Sequence, residues 1–279
     1  AVVRIRTVKT QGEGFGFNVD VGNNQDLVYG YSDPSTTVNM KYRYNSVDVF
    51  GMVNYRNRNE FTISNPVQTN WFMQEGQLIN INQDSRWYNH NLSQELNANL
   101  GLNWQISHNH SVGVRVERRG VIKAVNDYTI SNVVVYRNTD DSSADYNDES
   151  TTDGYRTRGI PHYWTGNAYY NGLVGKLNID LNVDFVTRKS ADIADISETR
   201  ESGVAYMNNE STTSSDLWAG KLVLSYPVWK GQLQAGTEMS FVDRANHFAM
   251  TGYPIPTTES DIKEQNIAGF LNYAFSVEK

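Results

Sequence analysis

Residues 176–186 read KLNIDLNVDFV, and polar and apolar side chains alternate along the whole stretch. The apolar residues occupy every second position: Leu177, Ile179, Leu181, Val183 and Phe185. The positions between them are polar or charged: Lys176, Asn178, Asp180, Asn182 and Asp184. Because successive side chains of a β-strand point to opposite faces of the sheet, this stretch predicts a strand with one apolar and one hydrated face.

The same alternation recurs elsewhere in the chain, at residues 96–107, 231–241 and 265–277. Short polar turns at residues 44–46, 107–110, 171–175 and 227–230 join strands into hairpins. The other connections, at residues 57–91, 126–161, 187–215 and 242–264, are long and rich in Ser, Thr, Asn and Asp. The pattern predicts about ten strands, beginning at residues 14–22, with short and long connections in strict alternation.

That asymmetry is typical of a transmembrane β-barrel, which has short turns on the periplasmic side and long loops outside. Strands of about 10 residues, tilted by roughly 45°, cross the apolar part of a bilayer. Aromatic residues, which prefer the membrane–water interface, lie near the short turns: Tyr42, Tyr44, Trp104, Tyr170, Tyr226, Trp229 and Phe275. We therefore predict an all-β, antiparallel transmembrane barrel in a cell outer membrane, with its apolar face in contact with lipid.

Composition excludes several other classes. The 279-residue chain has no cysteine, which excludes disulfides and Cys-based zinc sites, and its net charge of −7 argues against nucleic-acid binding. No stretch approaches the roughly 18 apolar residues of a membrane helix. The first ten residues, AVVRIRTVKT, lack the apolar segment of a signal peptide, so we expect a cytosolic protein, a mature one or a fragment.

Residues 1–16, AVVRIRTVKTQGEGFG, resemble the junction of TonB-dependent outer-membrane receptors, where the last plug strand is followed by a Gly-rich entry into the barrel. Residues 42–51, YRYNSVDVFG, resemble the first periplasmic turn of these receptors, and residues 264–279 resemble an inner barrel strand. The resemblance implies that residues 1–12 end a plug domain and that residues 13–279 form part of a 22-stranded barrel. It also implies ligand uptake, with a plug domain and TonB as partners, and no catalytic activity or cofactor.

Candidate site residues are few. Aromatic residues in the long connections are candidates for stacking on a ligand: Trp71, Trp87, Tyr155 and Tyr253, together with Phe72 and Tyr88. Carboxylates at residues 138–153 are a weak calcium candidate because their spacing does not match an EF-hand: Asp140, Asp141, Asp145 and Asp148. The ligand itself is not indicated, since a siderophore, cobalamin, oligosaccharide or peptide would all suit such a receptor.

Histidines provide a weaker signal. His108 and His110 lie two residues apart in a short turn and lack a third metal ligand. His162 and His247 lie near long connections that also contain acidic residues, which leaves open a self-contained ten-stranded barrel acting as a hydrolase or adhesin. A soluble β-sheet binding module is the third alternative.

Ten charged side chains are predicted to point into the lumen: Lys41, Arg43, Asp48, Arg56, Arg115, Glu117, Asp180, Asp184, Lys221 and Glu238. A charge on the lipid face near the bilayer midplane would cost about 2–4 kcal/mol, whereas inside the barrel charges of both signs can pair.

Overall fold

The computed structural model describes residues 12–138 and 142–275, which form twelve β-strands and a short 3-10 turn at Ser142–Ala144. The strands are β1 (Gly14–Gln25), β2 (Ser32–Tyr44), β3 (Val47–Ser64), β4 (Val67–Gln74), β5 (Gln77–Ser107), β6 (His110–Arg119), β7 (Val121–Asn138), β8 (Tyr146–Val174), β9 (Leu177–Arg200), β10 (Gly203–Val228), β11 (Gly231–Thr251) and β12 (Thr258–Phe275). All the described strand pairs are antiparallel. The predicted all-β, antiparallel fold class is therefore confirmed.

Ten strands follow one another across a single sheet in the order β1-β2-β3-β5-β6-β8-β9-β10-β11-β12. They correspond one to one to the ten strands predicted from the alternation. The other two strands continue their predecessors after short interruptions: β4 follows β3 beyond Asn65 and Pro66, and β7 follows β6 beyond Gly120. The sheet is thus an up-and-down meander, and its consecutive strands are neighbours.

The long connections predicted at residues 57–91, 126–161, 187–215 and 242–264 are wrong as loops, because most of these residues are in strands. β9 and β10, for example, continue their ladder to a tight turn at Glu201 and Ser202. Hydrogen bonds between polar side chains accompany the backbone ladder there, such as Asn208 Nδ2 to Asp195 Oδ1 at 2.7 Å. At 31 residues, β5 extends over about 100 Å, several times the thickness of a bilayer's apolar core.

The register aligns apolar residues into a continuous row across all ten strands. In this row each residue pairs with the next one on the neighbouring strand, in the order Phe15, Tyr42, Val49, Leu102, Val114, Ala168, Val183, Gly220, Met239 and Ile267. Adjacent rows on the same face add, among others, Met40, Leu100, Val116, Leu181, Leu222 and Leu271. We call this band the apolar belt and the surface that bears it the apolar face; the opposite surface is the polar face.

The apolar belt slants across the sheet. Phe15 and Ile267 lie in the same row. On the apolar face, Phe15 is the apolar residue of β1 nearest the short-turn end, whereas Ile267 is the apolar residue of β12 farthest from that end. On β12 the belt continues from Ile267 toward the turn as far as Phe275. Strands that cross a slab of constant thickness at a tilt produce this displacement, and barrel strands are tilted by about 35–45°.

Aromatic residues border the belt on both sides. At its short-turn edge lie Tyr44, Trp104, Tyr170, Tyr226, Tyr273 and Phe275. At its other edge lie Tyr55, Trp164, Phe185, Trp218 and Phe241. The rings of Phe185 and Trp218 are neighbours in the second set, with centroids 4.7 Å apart.

The sheet is one layer thick and has almost no core. Among the described residues, the buried hydrophobic side chains are only Ile79, Ala124 and Ala194. Belt residues are instead open to their surroundings, with Leu100 61%, Leu271 73% and Trp218 53% exposed. No described helix has the length and apolar character needed to cross a membrane.

Glycines on the polar face make room for neighbouring aromatic rings. A Cβ on Gly101 would lie 2.2 Å from Cζ of Phe50, and one on Gly113 would lie 2.2 Å from Cε1 of Tyr169. The rings therefore lie over the glycines of the adjacent strand, an arrangement that supports bending of a sheet toward this face.

Replacement of Gly101 by Ala should destabilise the sheet by about 1–3 kcal/mol, because the new Cβ displaces the Phe50 ring. Gly220→Ala is the matched control, since its Cβ would meet Cγ of Met239 at an ordinary 3.6 Å. The free energy of unfolding of both variants can be measured by denaturant titration in detergent micelles, followed by Trp fluorescence. Equal stability of the two variants would contradict this role for Gly101.

Candidate functional site

The polar face carries a network of hydrogen bonds at the level of the apolar belt. Asn167 Nδ2 donates to Asn182 Oδ1 at 3.0 Å and to Asp184 Oδ1 at 2.6 Å. Asn182 Nδ2 in turn donates to Asp184 Oδ2 at 2.7 Å. Strand-to-strand bonds of this kind hold the Asn-rich positions of β8 and β9 in fixed orientations on a surface suited to contact with water.

All ten charged residues predicted to face the lumen lie on the polar face in the observed register, which confirms their common orientation. Several pair with opposite charges. Arg43 Nε lies 3.4 Å from Asp48 Oδ1, and Lys221 Nζ lies 3.3 Å from Glu238 Oε2. The ten side chains comprise five positive and five negative charges.

The four predicted ligand-stacking aromatics are not brought together. Trp71 on β4 and Tyr155 on β8 belong to the same face as the apolar belt, although they lie beyond its edge. Tyr253 lies in the turn between β11 and β12, while Trp87 on β5 lies on the polar face. Their role in ligand binding stays a prediction, and only Trp87 lies on the polar face.

Trp87 lines a groove of about 360 Å³ on the polar face, beyond the belt on the side away from the short turns. We call it the aromatic groove; its walls come from Trp87, Tyr88, Asn89, Asn126, Tyr128, Ile130, Arg156, Ala194, Ile196 and Asn209. Asn126, Arg156, Ala194 and Asn209 form one row across β7 to β10, and Asn89, Tyr128, Gly154 and Ile196 form the next. The volume falls within the range of about 300–1,000 Å³ typical of small-ligand sites.

Gly154 determines the position of Tyr128. A Cβ on this glycine would lie 2.0 Å from Cζ and 2.3 Å from Oη of the Tyr128 ring. The ring therefore occupies the space above Gly154 that any other side chain would fill. Burial of Tyr128 raises the pKa of its hydroxyl above the ordinary value of 10.0.

Arg156 forms the floor of the groove together with an acidic partner. Its Nε and one terminal nitrogen each donate to a carboxylate oxygen of Asp192 at 2.6 Å. This bidentate hydrogen bond raises the pKa of Arg156 and fixes the plane of the guanidinium. The carboxylate of Asp192 thus offsets the positive charge of Arg156.

The calcium candidates lie apart from the groove. Asp140 and Asp141 fall outside the described residues. Asp145 accepts a hydrogen bond from the backbone N–H of Asn138 at 2.8 Å and lies near Arg137, and Asp148 contacts Arg200. Within the described ranges, no group of three His, Asp or Glu side chains is arranged to hold a metal ion.

Two of the predicted histidines make pairwise side-chain contacts, and the side chain of His162 lies outside those that the structure describes. His110 Nδ1 lies 2.8 Å from Tyr170 Oη, and His247 Nδ1 lies 3.3 Å from Glu259 Oε1. His108 is in the turn before His110. These contacts fix turn and strand geometry and bring no serine nucleophile to a histidine in the described hydrogen bonds.

Most of the groove was missed by sequence analysis. Asn89, Tyr128, Arg156 and Asp192 lie in stretches interpreted as loops. The signal that could have identified them is a weak period-two alternation in 126–130, where Asn126, Tyr128 and Ile130 share a face. The strand was interpreted as a loop because residues 126–130 are mostly polar.

Comparison with known proteins gives limited similarity. No family model and no curated protein matches the chain. Among solved structures, the ferric yersiniabactin uptake receptor FyuA of Yersinia pestis is similar with a TM-score of 0.35 and 8% identity, over 96% of this chain and 46% of that one. The siderophore receptor PiuA of Acinetobacter baumannii gives a TM-score of 0.33 and 10% identity, over 96% and 48%. The chain thus spans about half the length of both receptors, and these similarities identify no family.

The raised pKa of Tyr128 predicts a loss of stability in alkali. In the unfolded chain the Tyr128 hydroxyl ionises near pH 10.0, whereas in the folded protein it stays protonated to a higher pH. The free energy of unfolding is therefore highest below that value and falls as the pH rises through the pKa of the folded protein. The free energy of unfolding, measured by denaturant titration in micelles at pH 9 and pH 11, should fall more in the native chain than in Tyr128→Phe. An identical fall in both proteins would contradict the burial of this hydroxyl.

Proposed function

We propose that this chain forms part of the barrel of an outer-membrane uptake receptor of the TonB-dependent type in a Gram-negative bacterium. The observation that carries the proposal is the slanted apolar belt, which is continuous across ten strands and bordered by aromatic residues. A soluble sheet with this face would need a second protein layer to cover it, and the described residues supply none. Lipid is the partner that covers such a belt without further protein.

The polar face suits the wall of a hydrated passage. Several of its charges are paired, and Asn and Asp side chains are hydrogen-bonded to one another in the cluster of Asn167, Asn182 and Asp184. Above the belt the same strands continue far beyond the thickness of a bilayer, which supports an extended vestibule for ligand capture. This role needs a docking surface and a passage and no covalent chemistry.

The two edges of the sheet favour a larger barrel over a self-contained one. Within the described residues, β1 pairs only with β2 and β12 pairs only with β11, although the belt reaches both edges. Edge N–H and C=O groups at membrane depth must be paired, since no water is available there. Further barrel strands would satisfy them, and a plug domain and TonB follow from the resemblance of residues 1–16 to a plug–barrel junction.

Uptake by intact cells tests the proposal. A Gram-negative host would express the full-length gene that contains this chain and would receive labelled ferric desferrioxamine, cyanocobalamin, maltoheptaose and a decapeptide in turn. We expect gene-dependent accumulation of at least one of these probes, and we expect a protonophore to abolish it because TonB-type transport draws on the inner-membrane proton gradient. Accumulation that resists the protonophore, or no gene-dependent accumulation of any probe, would overturn the proposal.

A further inference from the structure

We propose that the aromatic groove is a binding site for a neutral oligosaccharide. The inference deepens the proposed function, on which it rests for its biological role, by naming the substrate class. It rests on three features of the groove: two aromatic rings that line one site, carboxamides that line the same site, and an arginine whose guanidinium is paired with a carboxylate.

The aromatic rings supply apolar platforms. Trp87 and Tyr128 belong to the adjacent strands β5 and β7, and Trp87 stands opposite Ile130, one alternation step from Tyr128. A Cβ on Gly154 would meet Cζ, Oη and Cε1 of Tyr128, so this ring lies close to the sheet surface at the groove. The C–H face of a pyranose ring packs well on such surfaces, which are apolar and rigid.

The carboxamides supply matched donors and acceptors. Asn89, Asn126 and Asn209 line the groove, and an amide side chain can accept from one hydroxyl while donating to the next. Oδ1 of Asn89 is shielded from solvent and has no hydrogen-bond partner. A buried acceptor without a partner costs about 1–3 kcal/mol, and a sugar hydroxyl would satisfy it once the Asn89 side chain turns its oxygen toward the groove.

The charge of the site favours a neutral ligand over an anion or a cation. Among the described lining residues Arg156 is the one that carries a charge, and its Nε and one terminal nitrogen donate to Asp192. An anionic ligand would have to compete with that carboxylate. Hydroxyl groups need no net charge, and they can still contact the outer donors of the fixed guanidinium.

Calorimetric titration of the full chain in micelles of a detergent without a sugar headgroup tests the inference. The probes are maltoheptaose, cellohexaose and xylohexaose, with ferric citrate as the anionic comparison. We expect saturable binding of at least one sugar and weaker binding of ferric citrate. No saturable binding of any of the three sugars, or tighter binding of ferric citrate that requires Trp87, would overturn the inference.

Variants locate the site. Trp87→Ala should weaken sugar binding by about tenfold, and Trp87→Phe, which keeps an aromatic platform, should stay within about threefold of the native chain. Gly154→Ala should weaken binding as much as Trp87→Ala because it displaces the Tyr128 ring. Trp104→Ala, on the other face at the short-turn edge of the belt, is the control and should bind normally; an equal loss in this variant would overturn the assignment to the groove.

The outcome is separable from that of the proposed function. Sugar binding in micelles does not depend on proton-driven uptake, so binding without transport would contradict only the receptor role. Transport of another probe without sugar binding would contradict only the groove's ligand class.

Discussion

Backbone N–H and C=O groups that lie in hydrocarbon must find their partners within the protein, and for the proposed membrane barrel this constraint governs the rest of the molecule. An antiparallel meander satisfies them strand by strand, and its period of two separates the side chains into two faces. One face can then be wholly apolar over the length of the belt while the other is rich in Asn and Asp. The near absence of buried hydrophobic side chains in the described chain is consistent with this proposal, in which lipid takes the place of a core.

The slant of the belt links this local rule to architecture. Strands tilted against a slab must shift their apolar positions along the sheet, and the shared row of Phe15 and Ile267 records that shift. The same strands then leave the belt without changing partners and carry the polar face outward. The aromatic groove therefore lies on the parts of these strands that extend beyond the belt. The strand register fixes which residues are neighbours in it.

Sequence alone predicted the fold where apolar residues marked the alternation, as at residues 176–186 and 96–107. It failed at residues 187–215, because Ser, Thr and Asn on both faces give no hydrophobic period although the backbone ladder continues. An irregularity in the β8–β9 register between Gly159 and His162 also reverses which positions share a face, so Tyr155 and Trp164 lie on the same side. Such a shift is invisible in composition. Of the predicted aromatic candidates, only Trp87 and Tyr88 are among the described lining residues of the groove, since the groove depends on cross-strand neighbours that no spacing in the chain reveals.

Quenching of Trp fluorescence by brominated phospholipids would show whether the apolar belt contacts lipid. Two single-Trp proteins, one retaining Trp218 at the edge of the belt and the other Trp87 on the polar face, would be reconstituted into vesicles with bromine at a known acyl depth. If the belt faces lipid, Trp218 should be strongly quenched and Trp87 should be quenched little. Equal quenching of both, or none for Trp218, would contradict a lipid-facing belt.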